Sequence, residues 1–137
     1  MASLDVLVTA ASRRVPLVTA FQRAVGDLPK GGRVVVTDVN PLSPAVRVAD
    51  AAYQVPLAGD PGYIDALLDI CAAEGIGLLV LTIDDELPIV AAARPRFEAQ
   101  GVKVAVSPVA TAETCNDKLA TCTQLRRHGV RAARTWR

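Results

Sequence analysis

Val34, Val35 and Val36 follow one another with no polar residue between them. A strand with water on one face alternates apolar and polar side chains, so a β-branched run without alternation has to be covered on both faces. Two covering layers need connections that cross over the sheet. The rest of the sequence supplies them, because short β-branched runs take turns with longer stretches of helical spacing. The fold class this predicts is α/β, a Rossmann-like three-layer domain around a mainly parallel five-stranded sheet of order 3-2-1-4-5.

Strands are expected at Leu4 to Thr9, Arg33 to Thr37, Tyr53 to Val55, Leu78 to Leu81 and Val102 to Val106. From Pro16 onward, Leu17, Phe21, Ala24 and Leu28 recur at helical spacing and predict one apolar stripe, after which Gly31 and Gly32 turn the chain. A second helix is expected to be capped by Asp60, to begin at Pro61 and to end at Gly75, burying Ile64, Leu67, Leu68 and Cys71. Asp84 or Asp85 is expected to cap a third, carrying Ile89, Ala93 and Phe97 and kinked or split at Pro95. Ser107-Pro108 reads as another helix start, and a last helix is expected from Asp117 to His128, closed by Gly129.

A chain of 137 residues, 51% of them hydrophobic, suits one well-buried domain, and neither a linker nor an internal repeat argues for a second independent one. Lys and Arg number 15 against 14 Asp and Glu, which leaves no basic footprint for nucleic acid or an anionic membrane surface. No apolar run approaches the roughly 20 residues of a membrane-spanning helix. Asp5, Arg13 and Arg14 interrupt what would be the core of a secretory signal, so the expected location is cytoplasmic. Cys71, Cys115 and Cys122 are odd in number and form no close pair. Free, reduced, mostly buried thiols are expected, with Cys71 and Cys122 facing the core.

In a sheet of this order ligands bind beyond the carboxyl ends of the strands, where the order reverses between the first and fourth. Two loops meet there: Thr9-Ala10-Ala11-Ser12-Arg13-Arg14 and Thr82-Ile83-Asp84-Asp85-Glu86. A basic pair and an acidic triplet would then form opposite lips of one crevice. An arginine can hold a carboxylate or phosphate bidentately, and the acids can hold an amine. The candidate substrate residues are Ser12, Arg13, Arg14, Asp84, Asp85 and Glu86. A plainer alternative makes the arginines a solvated pair and the acids helix-start residues favoured by the macrodipole. It suits the acids better than the arginines, since a cation at a helix N-terminus opposes that dipole.

The first loop offers Ala10, Ala11 and Ser12 in place of the glycines of a G-x-G-x-x-G motif, which argues against a nicotinamide or flavin dinucleotide. Asp38, followed by Asn40 and Pro41, predicts an Asx-type turn more readily than a ribose contact. His128 stands before Gly129 at a helix end, where a cation suits the dipole, and is not a catalytic candidate.

Five segments, Arg13-Arg14-Val15-Pro16-Leu17-Val18, Thr37 to Ala45, Asp60-Pro61-Gly62-Tyr63-Ile64-Asp65, Thr82 to Pro88 and Asn116-Asp117-Lys118, occur in order. Together they resemble the N-terminal part of ATP-grasp ligases, most closely the carbamoyl-phosphate-synthase-like branch, from about Leu4 to Trp136. The resemblance implies a preATP-grasp domain over residues 1–115 and, over 116–137, a helix opening a truncated ATP-grasp region. It implies an ATP-dependent carboxylate-amine ligase that works through an acyl phosphate with ATP and Mg2+, this chain being its substrate-side domain. The expected partners are a small-molecule carboxylate, an amine and C-terminal ATP-grasp subdomains, and a homodimer is an admissible assembly.

Lys118 matches the lysine that approaches the ATP phosphates, with an ordinary solvated lysine as the alternative. Ser12 stands where relatives often carry glycine, which favours the arginine side chains over that loop's backbone as substrate contacts. The metal-binding acids and the phosphate-covering loop are expected beyond Arg137. The fragment would then hold no catalytic residue, metal or bound cofactor and be inactive alone. A reading of another class is a stand-alone Rossmann-like module that binds a small molecule or a protein without catalysis.

Overall fold

The computed structural model describes residues 3–136. Five parallel strands, β1 (Asp5–Val8), β2 (Val34–Asp38), β3 (Ala51–Gln54), β4 (Ile76–Val80) and β5 (Lys103–Ala105), form one sheet in the order β3-β2-β1-β4-β5. The helices are α1 (Val15–Gly26), α2 (Tyr63–Glu74), α3 (Leu87–Ala99), α4 (Val109–Asn116) and α5 (Lys118–Arg127), with single 3-10 turns at Pro44–Arg47 and Asp84–Glu86. Class, parallel pairing and strand order are as the sequence predicts.

Strand pleating sends alternate residues to opposite layers. Leu7, Val35 and Leu79 pack with Tyr63, Leu67 and Cys71 of α2 and Val90 and Phe97 of α3. Val6, Val8, Val34 and Val36 pack with Val18 and Val25 of α1 and Ala45 of the first 3-10 turn. β1 therefore has no face toward water, and the valine run of β2 is buried on both sides as expected.

Several local expectations need correction. The buried line of α1 is Val18, Phe21 and Val25, whereas Leu17 and Leu28 are exposed at 36% and 40%. The edge strands differ most from the sequence reading: β3 begins at Ala51 and keeps Tyr53 exposed, and β5 is three residues long. An edge strand has one neighbour and little apolar pattern to announce it. β4 begins at Ile76 because Gly77, which breaks the apolar run, still lies in the strand.

Asp60 does not cap α2. Its carboxylate accepts the Gly62 amide at 2.8 Å and its carbonyl the Tyr63 amide at 3.0 Å, so the residues before Tyr63 form a turn. Gly75 ends α2 as expected, in the left-handed region at φ 65°. Neither Asp84 nor Asp85 caps α3, whose N-cap is Glu86, and Pro95 does not split that helix, standing exposed inside a continuous run. The last stretch holds two helices, with Asp117 accepting the Ala120 amide at 2.9 Å to open α5. All three cysteines are free, but only Cys71 is buried; Cys115 is exposed on α4, which buries only Ala112, and Cys122 is half-buried on α5, which places no residue in the core.

Two outcomes test this packing. A Cβ at Gly32 would lie 2.0 Å from the Leu4 carbonyl oxygen, a backbone atom that cannot swing aside. Gly32→Ala should lose about 1–3 kcal/mol in denaturant unfolding, while Gly26→Ala, with open space at its Cβ, should be neutral or gain up to about 1 kcal/mol. Burial pushes the Cys71 thiol up to about 12. In the native protein a maleimide should label Cys115 at least about a hundredfold faster than Cys71, and the difference should vanish on unfolding.

Candidate functional site

The chain leaving β1 straddles the point where the strand order reverses. The Thr9 amide donates to the Val80 carbonyl of β4 at 3.0 Å, and the Ala11 amide donates to the Thr37 carbonyl of β2 at 3.1 Å. Serving two diverging neighbours bends the loop sharply, and Ala10 and Ser12 take φ of 45° and 46°, a region that side chains resist. Asp38 holds that bend: its carboxylate accepts the Ser12 amide at 2.6 Å and the Asn40 amide at 2.8 Å. The second bond is the Asx-type turn predicted from the sequence.

Between these loops opens a cleft of about 240 Å³. Ser12, Arg14, Asp38, Tyr63 and Glu86 supply its polar lining, with Val39, Val55, Leu57 and Ile83 among its apolar walls. A neighbouring hollow of about 470 Å³ shares Leu57, Ala58 and Ile83 and adds Asp60 and Asp85. The structure thus brings Ser12, Arg14 and Glu86 to one cleft and Asp85 to its neighbour. Arg13 and Asp84 are exposed and line neither. Lys118, exposed at the start of α5, lines neither as well.

Arg14 clips the two lips together. One guanidinium nitrogen donates to the Ala10 carbonyl and the other to the Thr82 carbonyl, each at 3.1 Å. A cation at the start of α1 opposes the helix dipole, and these two carbonyls are what offset that opposition. Thr82 reinforces the join, its hydroxyl lying 2.8 Å from the Thr9 carbonyl and 3.0 Å from that of Ala10.

Glu86 differs from its acidic neighbours because it is 2% exposed. Thr9 donates to Oε2 and Tyr63 to Oε1, both at 2.6 Å. Burial raises the carboxyl above the ordinary glutamate value, opposed by the bonds from Thr9 and Tyr63, the Thr82 backbone and the charge of Arg14. The Tyr63 phenol is also raised, first by burial and then by the adjacent Glu86 charge. Thr9, Tyr63 and Thr82 were not candidates from the sequence. Only the sharing of a sheet edge by their loops could have signalled them.

No group of three or more His, Cys, Asp and Glu residues that could hold a metal ion occurs among the described residues. No helix among them is long and apolar enough to cross a membrane.

A sequence model of the PylC-like N-terminal domain matches residues 6–105. No match to a curated protein sequence was found. The chain is similar in fold to the biotin carboxylase domain of a single-chain bacterial carboxylase, with 22% identity and a TM-score of 0.62 over 96% of this chain and 30% of the other. A glycinamide-RNase-transformylase T from Mycobacterium tuberculosis gives 14% identity and a TM-score of 0.67 over 96% of this chain and 38% of that one. An L-amino acid ligase from Bacillus licheniformis gives 18% identity and a TM-score of 0.66 over 94% and 31%. The chain spans about a third of the length of these structures. The matched segment covers most of the sequence, and the chain belongs to the PylC-like N-terminal domain family, a preATP-grasp domain.

Proposed function

We propose that this chain is the substrate-side domain of an ATP-dependent carboxylate-amine ligase. In the longer protein an acyl phosphate forms from ATP and the carboxylate, and the amine then displaces the phosphate. Residues 1–115 serve as the preATP-grasp domain, 116–137 lead into the ATP-grasp region, and ATP and Mg2+ are held by subdomains that follow. The observation that carries this reading is the cleft at the strand-order reversal, where Arg14 and Glu86 line one wall system in a domain of this family. Arg14 and Ser12 stand on the lip suited to a carboxylate, and Asp85 in the adjoining hollow suits an amine. Arg13, Asp84 and Lys118 are exposed and free to meet groups outside this domain, with Lys118 offered to the nucleotide phosphates.

A solvent-screened ion pair contributes at most about 1 kcal/mol, far below the roughly 8 kcal/mol of micromolar binding. Residues 1–137 alone should therefore give no saturable ATP binding in calorimetry up to low millimolar nucleotide, and no ADP formation. The complete protein should turn ATP over to ADP continuously only when both a carboxylate and an amine are supplied, the carboxylate alone giving at most one ADP per enzyme. In that protein Lys118→Ala leaves phosphate charge uncompensated, at a cost of about 2–5 kcal/mol, so the KM for ATP should rise at least about thirtyfold with the thermal midpoint nearly unchanged. Micromolar ATP binding by residues 1–137, or a Lys118→Ala variant with wild-type ATP dependence, would overturn the assignment.

A further inference from the structure

Glu86 joins three parts of the fold. It lies on the 3-10 turn that follows β4 and is reached by Thr9 from the end of β1 and by Tyr63 from the first turn of α2. Both hydroxyls spend their protons on the carboxylate. A buried carboxylate held this way usually has a single workable protonation state, because adding a proton leaves a donor facing a donor. Here Thr9 has a second acceptor, the Val80 carbonyl at 3.4 Å from its Oγ1. If Oε2 carries a proton it can donate to Thr9 Oγ1, Thr9 turns its own proton to Val80, and Tyr63 still donates to Oε1. Every partner is satisfied in both states. The charged groups facing the carboxylate across the cleft are Arg14 at the start of α1 and Asp38 at the end of β2, and the Thr82 backbone faces it from its own loop.

We propose that Glu86 is a positioning residue that locks the lip from Thr82 to Asp85 against β1 and α2, and that the Thr9–Val80 relay keeps this lock closed whether or not Glu86 is protonated. The proposal stands on the ligand-free fold and does not require the ligase reading. Its test uses neither nucleotide nor co-substrate, so either idea can fail without the other.

The test is amide hydrogen exchange on the complete protein across the Glu86 titration, followed through its 13C-labelled side-chain carboxyl. In the wild type, protection of Thr82 to Glu86 and of Ala10 to Arg14 should stay constant, after correction for intrinsic rates, as Glu86 passes through its midpoint. Glu86→Gln mimics the protonated state, its amide donating to Thr9 and its carbonyl accepting from Tyr63, and should keep protection within about threefold. Glu86→Ala should speed exchange in both segments at least about tenfold, while Val34 to Val36 remain as protected as before. Adding Thr9→Val to Glu86→Gln removes the relay and should release the segments as Glu86→Ala does. That double variant decides the matter even where Glu86→Ala fails to fold. Glu86→Gln alone releasing the lip, or Thr9→Val/Glu86→Gln exchanging no faster than Thr9→Val, would overturn the proposal.

Discussion

β1 has no side that can touch water: Val6, Leu7 and Val8 are 1%, 0% and 0% exposed. A strand buried on both faces with a neighbour on both edges must pass every backbone bond to those neighbours, and the chain beyond it must still satisfy its polar groups. Beyond Val8 the partners diverge, and Thr9 bonds toward β4 while Ala11 bonds toward β2. The Ala10 carbonyl is left at the fork, and the side chains of Arg14 and Thr82 reach it. The cleft follows from this fork, because the loops that separate there cannot close over one another without abandoning those bonds.

The two ends of the sheet are secured by different chemistry. At the amino end Arg33 pairs with Asp5 and Glu74, each at 2.9 Å, and the Tyr53 hydroxyl donates to Glu74. Arg33 is half exposed there, so salt screens these pairs and they add little. At the carboxyl end the charge is a buried carboxylate, whose removal from water is costly and has to be offset by donors in fixed places. Two hydroxyls supply them. An exposed ion pair tolerates motion, whereas a buried carboxylate is left with an unopposed desolvation cost as soon as its donors move away. The bonds that depend most on fixed geometry therefore lie at the cleft and not at the opposite edge.

The central part of this arrangement was legible in the sequence because burial on both faces leaves an unbroken β-branched run, as in Val34 to Val36. β3 and β5 were read poorly because an edge strand with exposed residues such as Tyr53 carries no comparable pattern. The arginine pair could be singled out, since a cation at a helix start contradicts the local field, and Arg14 resolves that contradiction through two carbonyls. Glu86 could be named only as one of three acids. What separates it from Asp84 and Asp85 is contact with Thr9, 77 residues away, and Tyr63, 23 residues away, and no local pattern contains either distance. The stripe of α1 was misplaced by one position, because Leu17 and Val18 are both apolar and only the sheet decides which faces it.

The same division bears on how work is shared along the chain. The cleft residues are held by bonds that cross from strand to strand, so their geometry belongs to the sheet. α5 places no residue in the core, and Lys118 stands at its exposed start. A charged side chain on such an element has no fixed geometry of its own to offer a ligand, and a phosphate needs several convergent donors to be held against water. Ser12, Arg14 and Glu86 can be preorganised by this domain alone. Lys118, by contrast, stands exposed on a helix that adds nothing to the core, so none of the cross-strand bonds that fix the cleft residues reaches it.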